Sequence, residues 1–93
     1  MYVIGDVIGV GFRAWTKIQA KIIGVTGWVK NVFDRSDLFG PNGGVEIVIQ
    51  GEESLLNQMV SLIKSGPPIS RVNEVKIFEE KPKKTFDGFE IRK

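Results

Sequence analysis

Residues 5–14 read GDVIGVGFRA, and the way this stretch joins its neighbours decides the architecture of the chain. Three glycines within seven residues, Gly5, Gly9 and Gly11, break any regular element, so Gly5 to Gly11 reads as a loop. Before it, Tyr2-Val3-Ile4 reads as a short strand ended by Gly5. After it the period changes. Phe12, Trp15, Ile18 or Gln19, and Ile22 recur at helical spacing, with Lys17 and Lys21 on another face and Gly24 as the C-terminal cap. The chain thus opens as strand, glycine loop and helix.

Outward from that unit, Val25 to Phe33 (VTGWVKNVF) is a β-rich run, and Asp34 to Gly44 is a loop dense in Asp, Gly, Pro and Asn. Val45 to Ile49 makes the next strand, closed by Gly51. Leu55, Leu56, Met59, Val60, Leu62 and Ile63 define a helix over Glu52 to Ser65, which Gly66-Pro67-Pro68 terminates. Val72 to Phe78 alternates as a strand with Val75 and Ile77 on one face, and Phe86 to Arg92 is a last strand pairing Phe89 with Ile91. The order β-α-β-β-α-β plus a C-terminal strand predicts an α+β fold of the ferredoxin-like split βαβ type. One mixed sheet containing antiparallel strands carries two helices on one face, within a single domain spanning 1–93.

Composition narrows the chemistry. There is no cysteine and no histidine, which removes disulfides, thiolate nucleophiles, the commonest metal ligand and the commonest general base. Thirteen basic against 11 acidic residues leave a net charge of +2, too mild to argue for nucleic acid or a membrane surface. The basic cluster Lys81-Pro82-Lys83-Lys84 follows Glu79-Glu80 and reads as a solvated turn. No apolar stretch approaches the roughly 20 residues of a membrane helix, so the expected location is cytoplasmic. Any reaction here must run on arginine, lysine, amides and backbone groups.

Gly9-Val10-Gly11-Phe12-Arg13-Ala14 matches the dinucleotide fingerprint GxGxxG/A, and Asp34 follows about twenty residues later, where such a site wants an acid. The context rejects it: a hairpin loop and an antiparallel strand follow where further parallel βαβ units are required. What survives is the shared physics. Backbone N–H groups of a glycine-rich turn before a helix N-terminus form a concave anion nest with the helix dipole behind it. Arg13 adds a planar, permanently charged fork suited to two phosphate oxygens. In a split βαβ unit the first two strands run parallel, so the loop and Asn31, near the end of the second strand, should converge at one sheet edge. Alternation puts Asn31 on the side of Val29 and Phe33, while Trp28 reads as core.

With both halves quoted, the sequence resembles the acylphosphatase family. Gly5-Asp6-Val7-Ile8-Gly9-Val10-Gly11-Phe12-Arg13 is similar to that family's GxVQGVxFR. Gly24-Val25-Thr26-Gly27-Trp28-Val29-Lys30-Asn31, followed by Gly44-Val45-Glu46 and Gly51, is similar to GxxGWVxN…GxVE…G, and Gly88 to Arg92 to its final strand. Ile8 stands where the family usually has glutamine, the first strand is short, and Arg35 to Gly43 lengthens a turn the family keeps tight.

The resemblance implies hydrolysis of a small-molecule acyl phosphate to a carboxylate and inorganic phosphate, the latter also an inhibitor. By the same resemblance, Arg13 and the backbone N–H groups of Ile8, Gly9, Val10, Gly11, Phe12 and Arg13 hold the phosphoryl oxygens, and Asn31 orients the attacking water. Neither metal nor cofactor is expected, and the expected working form is a monomer without nucleic-acid or membrane partners. Two other readings stand beside it: a non-catalytic anion-binding or regulatory module of the same fold, and an RNA-binding sheet. The RNA reading is poorly served by Val45 to Ile49, which lacks aromatics. Leu38 and Phe39 in the long loop offer either a lid over the site or local packing against the sheet edge.

Overall fold

A computed structural model describes residues 1–80 and 84–93, so the run Lys81-Pro82-Lys83 lies outside the described residues. The elements are β1 (Tyr2–Asp6), α1 (Phe12–Ile23), β2 (Thr26–Val32), α2 (Ser36–Phe39), β3 (Gly44–Gln50), α3 (Glu53–Ser65), β4 (Arg71–Lys76) and β5 (Phe89–Arg92). The sheet order is β4-β1-β3-β2-β5. β1 and β2 each pair antiparallel with β3, so they run parallel to one another with β3 between them. β5 pairs parallel with β2, in a register that sets Gly27 opposite Phe89 and Val29 opposite Ile91. The C-terminal ends of β1, β2 and β5 therefore share one edge of the sheet.

Strand alternation sends one set of side chains under the two long helices. Val3, Val29, Val45 and Ile47 from the sheet are fully buried together with Ala20, Met59 and Ile63, and Phe12 nearly so. At about 25 cal/mol per Å² of buried apolar surface, this layer is the main stabilising contact of the fold. α1 presents Phe12, Thr16 and Ala20 to it, an i, i+4 stripe; Ile18 and Ile22, expected at its apolar periodicity, stand 56% and 74% exposed. The Thr16 hydroxyl within this stripe is satisfied by donating to the Phe12 carbonyl at 2.8 Å. Gly24 ends α1 in the left-handed region, φ 97°, with its N–H on the Ala20 carbonyl at 2.8 Å, as the cap position predicts.

Several boundaries differ from the sequence reading. Gly5 does not end β1: the strand runs through it to Asp6, with an irregularity between Ile4 and Gly5. At φ 146° a side chain at Gly5 would run into the Arg71 carbonyl of β4, so the glycine serves close strand approach and the loop is shorter, Val7 to Gly11. β4 stops at Lys76; Ile77 and Phe78 lie beyond it, and the Phe78 ring meets Tyr2 edge to face at 5.6 Å. β5 starts only at Phe89, because the Phe86 N–H is held by the Gln50 side chain at 3.1 Å instead of by a strand. Trp28 is not core. It lies on the sheet face opposite the helices, with the Arg92 guanidinium over its ring at 4.6 Å and Lys30 at 5.5 Å. Val29 faces the helices, so alternation turns Trp28 the other way.

Candidate active site

The loop leaving β1 is fixed from below and open above. Val7 is 1% exposed and Ile8 and Val10 pack against the core, so apolar side chains anchor the turn. Between them, Gly9 and Gly11 take φ 77° and 75°, and a side chain at either would point into open space. What demands glycine there is the left-handed backbone, not crowding. Gly11 is also the N-cap of α1, receiving the Trp15 N–H on its carbonyl at 3.0 Å. No side chain caps this helix start and no acidic residue lies in its first turn. Among the described residues, no loop or turn backbone hydrogen bond is donated by residues 8 to 13. An uncapped helix start with the dipole behind it and free N–H groups in front carries positive potential.

Arg13, on the first turn of α1, is half-buried and makes no ion pair or hydrogen bond among the described residues. Asn31, near the C-terminal end of β2, lies on the helix side of the sheet. Its Oδ1 is buried and has no hydrogen-bond partner. Buried polar atoms are almost always partnered, so an exception calls for a reason, a catalytic role among them. Arg13 and Asn31 line one cleft of about 170 Å³ together with Gly9, Gly11 and Phe12. The convergence expected from parallel β1 and β2 is therefore met. Ile8 and Val10, expected only through their N–H groups, do not line the cleft. Val7, Ala14 and Ile91 do, and were not foreseen.

The long loop does not form a lid. No residue between 34 and 44 lines the cleft. Its middle folds into the single turn α2, which buries Phe39 (7% exposed) against Tyr2 at a ring distance of 5.7 Å. Phe39 also sits where a side chain on Gly44 would be. Arg35 hydrogen-bonds Asp37 at 3.2 Å, which holds that carboxyl below its ordinary range, on a fully exposed stretch. Local packing explains the apolar Phe39 of this loop.

Among the described residues there is no group of three His, Cys, Asp or Glu side chains placed to hold a metal, and no helix is long and apolar enough to cross a membrane. The cleft can thus recognise an anion through N–H groups and a guanidinium, and offers one amide for a further hydrogen bond.

Comparison with known proteins agrees with this geometry. The family model described as Acylphosphatase matches residues 1–91. The chain is similar to the acylphosphatase of Rubrobacter xylanophilus, 39% identical over 92 residues, which covers 99% of this chain and 76% of that protein. It is 37% identical to the acylphosphatase of Archaeoglobus fulgidus, across 98% of this chain and 92% of that one. The crystal structure of acylphosphatase from Bacillus subtilis superposes with a TM-score of 0.86 at 34% identity, covering 99% of this chain and 93% of that chain.

Proposed function

The chain belongs to the acylphosphatase family, and from that membership and the cleft we infer how this sequence hydrolyses an acyl phosphate. The phosphoryl group sits against the loop residues that line the cleft, its oxygens on the N–H groups of Gly9, Gly11 and Phe12 and on the Arg13 fork. Water attacks phosphorus, the bond from phosphorus to the acyl oxygen breaks, and its electron pair leaves on the carboxylate. The water proton passes to a phosphoryl oxygen, so the products are a carboxylate and inorganic phosphate. A carboxylate leaves readily, so no strong general acid is needed. Phosphoryl transfer is mainly positioning and charge stabilisation, which suits a chain without histidine.

The observation that carries this reading is that Asn31 lines the same cleft as Arg13 and the glycine loop. The Asn31 amide, lining that cleft, is suited to hydrogen-bond a water and so align its oxygen lone pair with phosphorus. Loop, arginine and amide all come from one chain, so the proposed working unit is the single 1–93 domain acting as a monomer on a small substrate.

Acetyl phosphate hydrolysis by the purified protein tests the proposal. Turnover should persist in excess chelator and be inhibited competitively by inorganic phosphate. Arg13→Ala should lower turnover by at least about 10²–10³, the typical cost of one preorganised donor, and weaken phosphate inhibition as well. Phosphate binding without turnover in the wild-type protein would leave only an anion-binding module.

A further inference from the structure

An acyl phosphate has a charged end and an acyl end, and the residues around the cleft differ in depth and polarity. Val7 and Phe12, each 1% exposed, lie innermost. Arg13 and Asn31 are half-buried. The exposed rim is Gly9, Gly11, Ala14 and Ile91. Resting on the function proposed above, we propose that Ile91 contacts the acyl group and sets which acyl phosphates the protein prefers.

The direction of the reaction leads there. Attacking and leaving oxygens stand roughly in line on opposite sides of phosphorus. Asn31 is half-buried and lies deeper than the exposed rim, so a water oriented by its amide lies inward of that rim. The acyl oxygen then points outward, across the rim. Two of the rim residues are glycines and the third offers one methyl group. Ile91 alone on that rim carries a large apolar side chain, and it is left 40% exposed. An apolar group gives nothing to a phosphoryl dianion, but it removes water from an apolar acyl chain.

Ile91 is also held firmly enough to discriminate. β5 is an edge strand of four residues, yet it is fastened on several sides. Phe89, on the same side of the strand, is buried in the core, and Ile91 pairs with Val29. On the opposite face, Arg92 stacks on Trp28 at 4.6 Å. The approach to the strand is held by Gln50, whose amide donates to the Lys84 carbonyl and accepts from the Phe86 N–H. A contact residue on a fixed strand selects by shape, which a mobile loop does poorly.

The test compares acetyl phosphate with benzoyl phosphate. In Ile91→Ala, the ratio of kcat/KM for benzoyl over acetyl phosphate should fall about tenfold, the low end for apolar pocket contacts. Ile91→Leu should keep that ratio within about twofold of wild type, and inhibition by inorganic phosphate, which has no acyl group, should be unchanged in both. Ile91→Thr retains the β-branching suited to a strand and reads the same ratio if the alanine variant folds poorly. An unchanged ratio in the alanine and threonine variants overturns the proposal. So does an equal loss on both substrates with weakened phosphate inhibition, which would mean a distorted cleft. A wild-type protein inert toward both substrates would overturn the hydrolase reading itself, and is seen before any variant is compared.

Discussion

Replacing Asn31 by alanine separates what this residue does for the fold from what it does for the reaction. Its Oδ1 is buried without a hydrogen bond, beside the well-packed Val29 and Val32. A buried acceptor left unsatisfied costs about 1–3 kcal/mol. Alanine removes that cost, but it also loses the packing of a half-buried amide, comparable to one buried methylene at about 0.8 kcal/mol. The difference favours the variant by about 1 kcal/mol. In a domain of this size that raises Tm by about 4–8 °C. In the same protein, turnover of acetyl phosphate should fall by about 10²–10³, while inhibition by inorganic phosphate stays within about threefold, because Arg13 and the loop remain. Thermal unfolding and turnover measured on one preparation check both halves. A destabilisation of more than about 1 kcal/mol would show that the fold itself uses the amide. Wild-type turnover would show that the water needs no help from it. A more stable and nearly inactive protein is the trade expected of a residue kept for chemistry.

Two further outcomes follow from the backbone and the long loop. Gly27→Ala should destabilise the fold by about 3 kcal/mol or more, read as a lower urea midpoint, because φ is 141° and the new methyl would overlap the Val48 carbonyl of β3. Phe39→Ala should cost about 3 kcal/mol for a buried ring yet leave kcat/KM for acetyl phosphate within about twofold, since no residue of its loop lines the cleft; a large kinetic change at near-wild-type stability would restore the lid.

The glycine half of the cleft was legible because it rests on local chemistry, while the role of Asn31 came from the family resemblance. Positive φ at Gly9 and Gly11 demands glycine, and a helix starting at Phe12 immediately afterwards exposes its first N–H groups. Chain direction did the rest: two strands joined through a helix run parallel, so the β1 loop and Asn31 had to meet. Trp28 was misplaced because the size of an indole argued for burial, whereas Val29 and Asn31 had already taken the helix-facing phase of β2. A period fixes alternation, and where side-chain size conflicts with it, alternation prevails. The helical stripe failed for the opposite reason. Ile18 and Ile22 are apolar, but the face of α1 turned to the sheet is the i, i+4 stripe Phe12, Thr16 and Ala20 instead.

Ile91 was out of reach for a different physical reason. Its alternation with Phe89 could be read, but its neighbour could not. Nothing local says that β5 lies beside β2, or that it does so in parallel. Antiparallel pairing on the same edge would have placed the C-terminal end of β5 at the far end of the sheet, away from Arg13. Parallel pairing brings three strand ends together: β1 supplies the phosphate loop, β2 supplies Asn31, and β5 supplies Ile91. In the proposed reading, the charged end of a substrate is met by residues whose types announce their chemistry. The residue proposed for the acyl end is an isoleucine like any other, distinguished only by where a non-local pairing leaves it. A substrate preference carried that way can change through one edge-strand residue without disturbing the loop, the arginine or the amide, so kcat/KM ratios between acyl groups should vary more among Ile91 variants than inhibition by phosphate does.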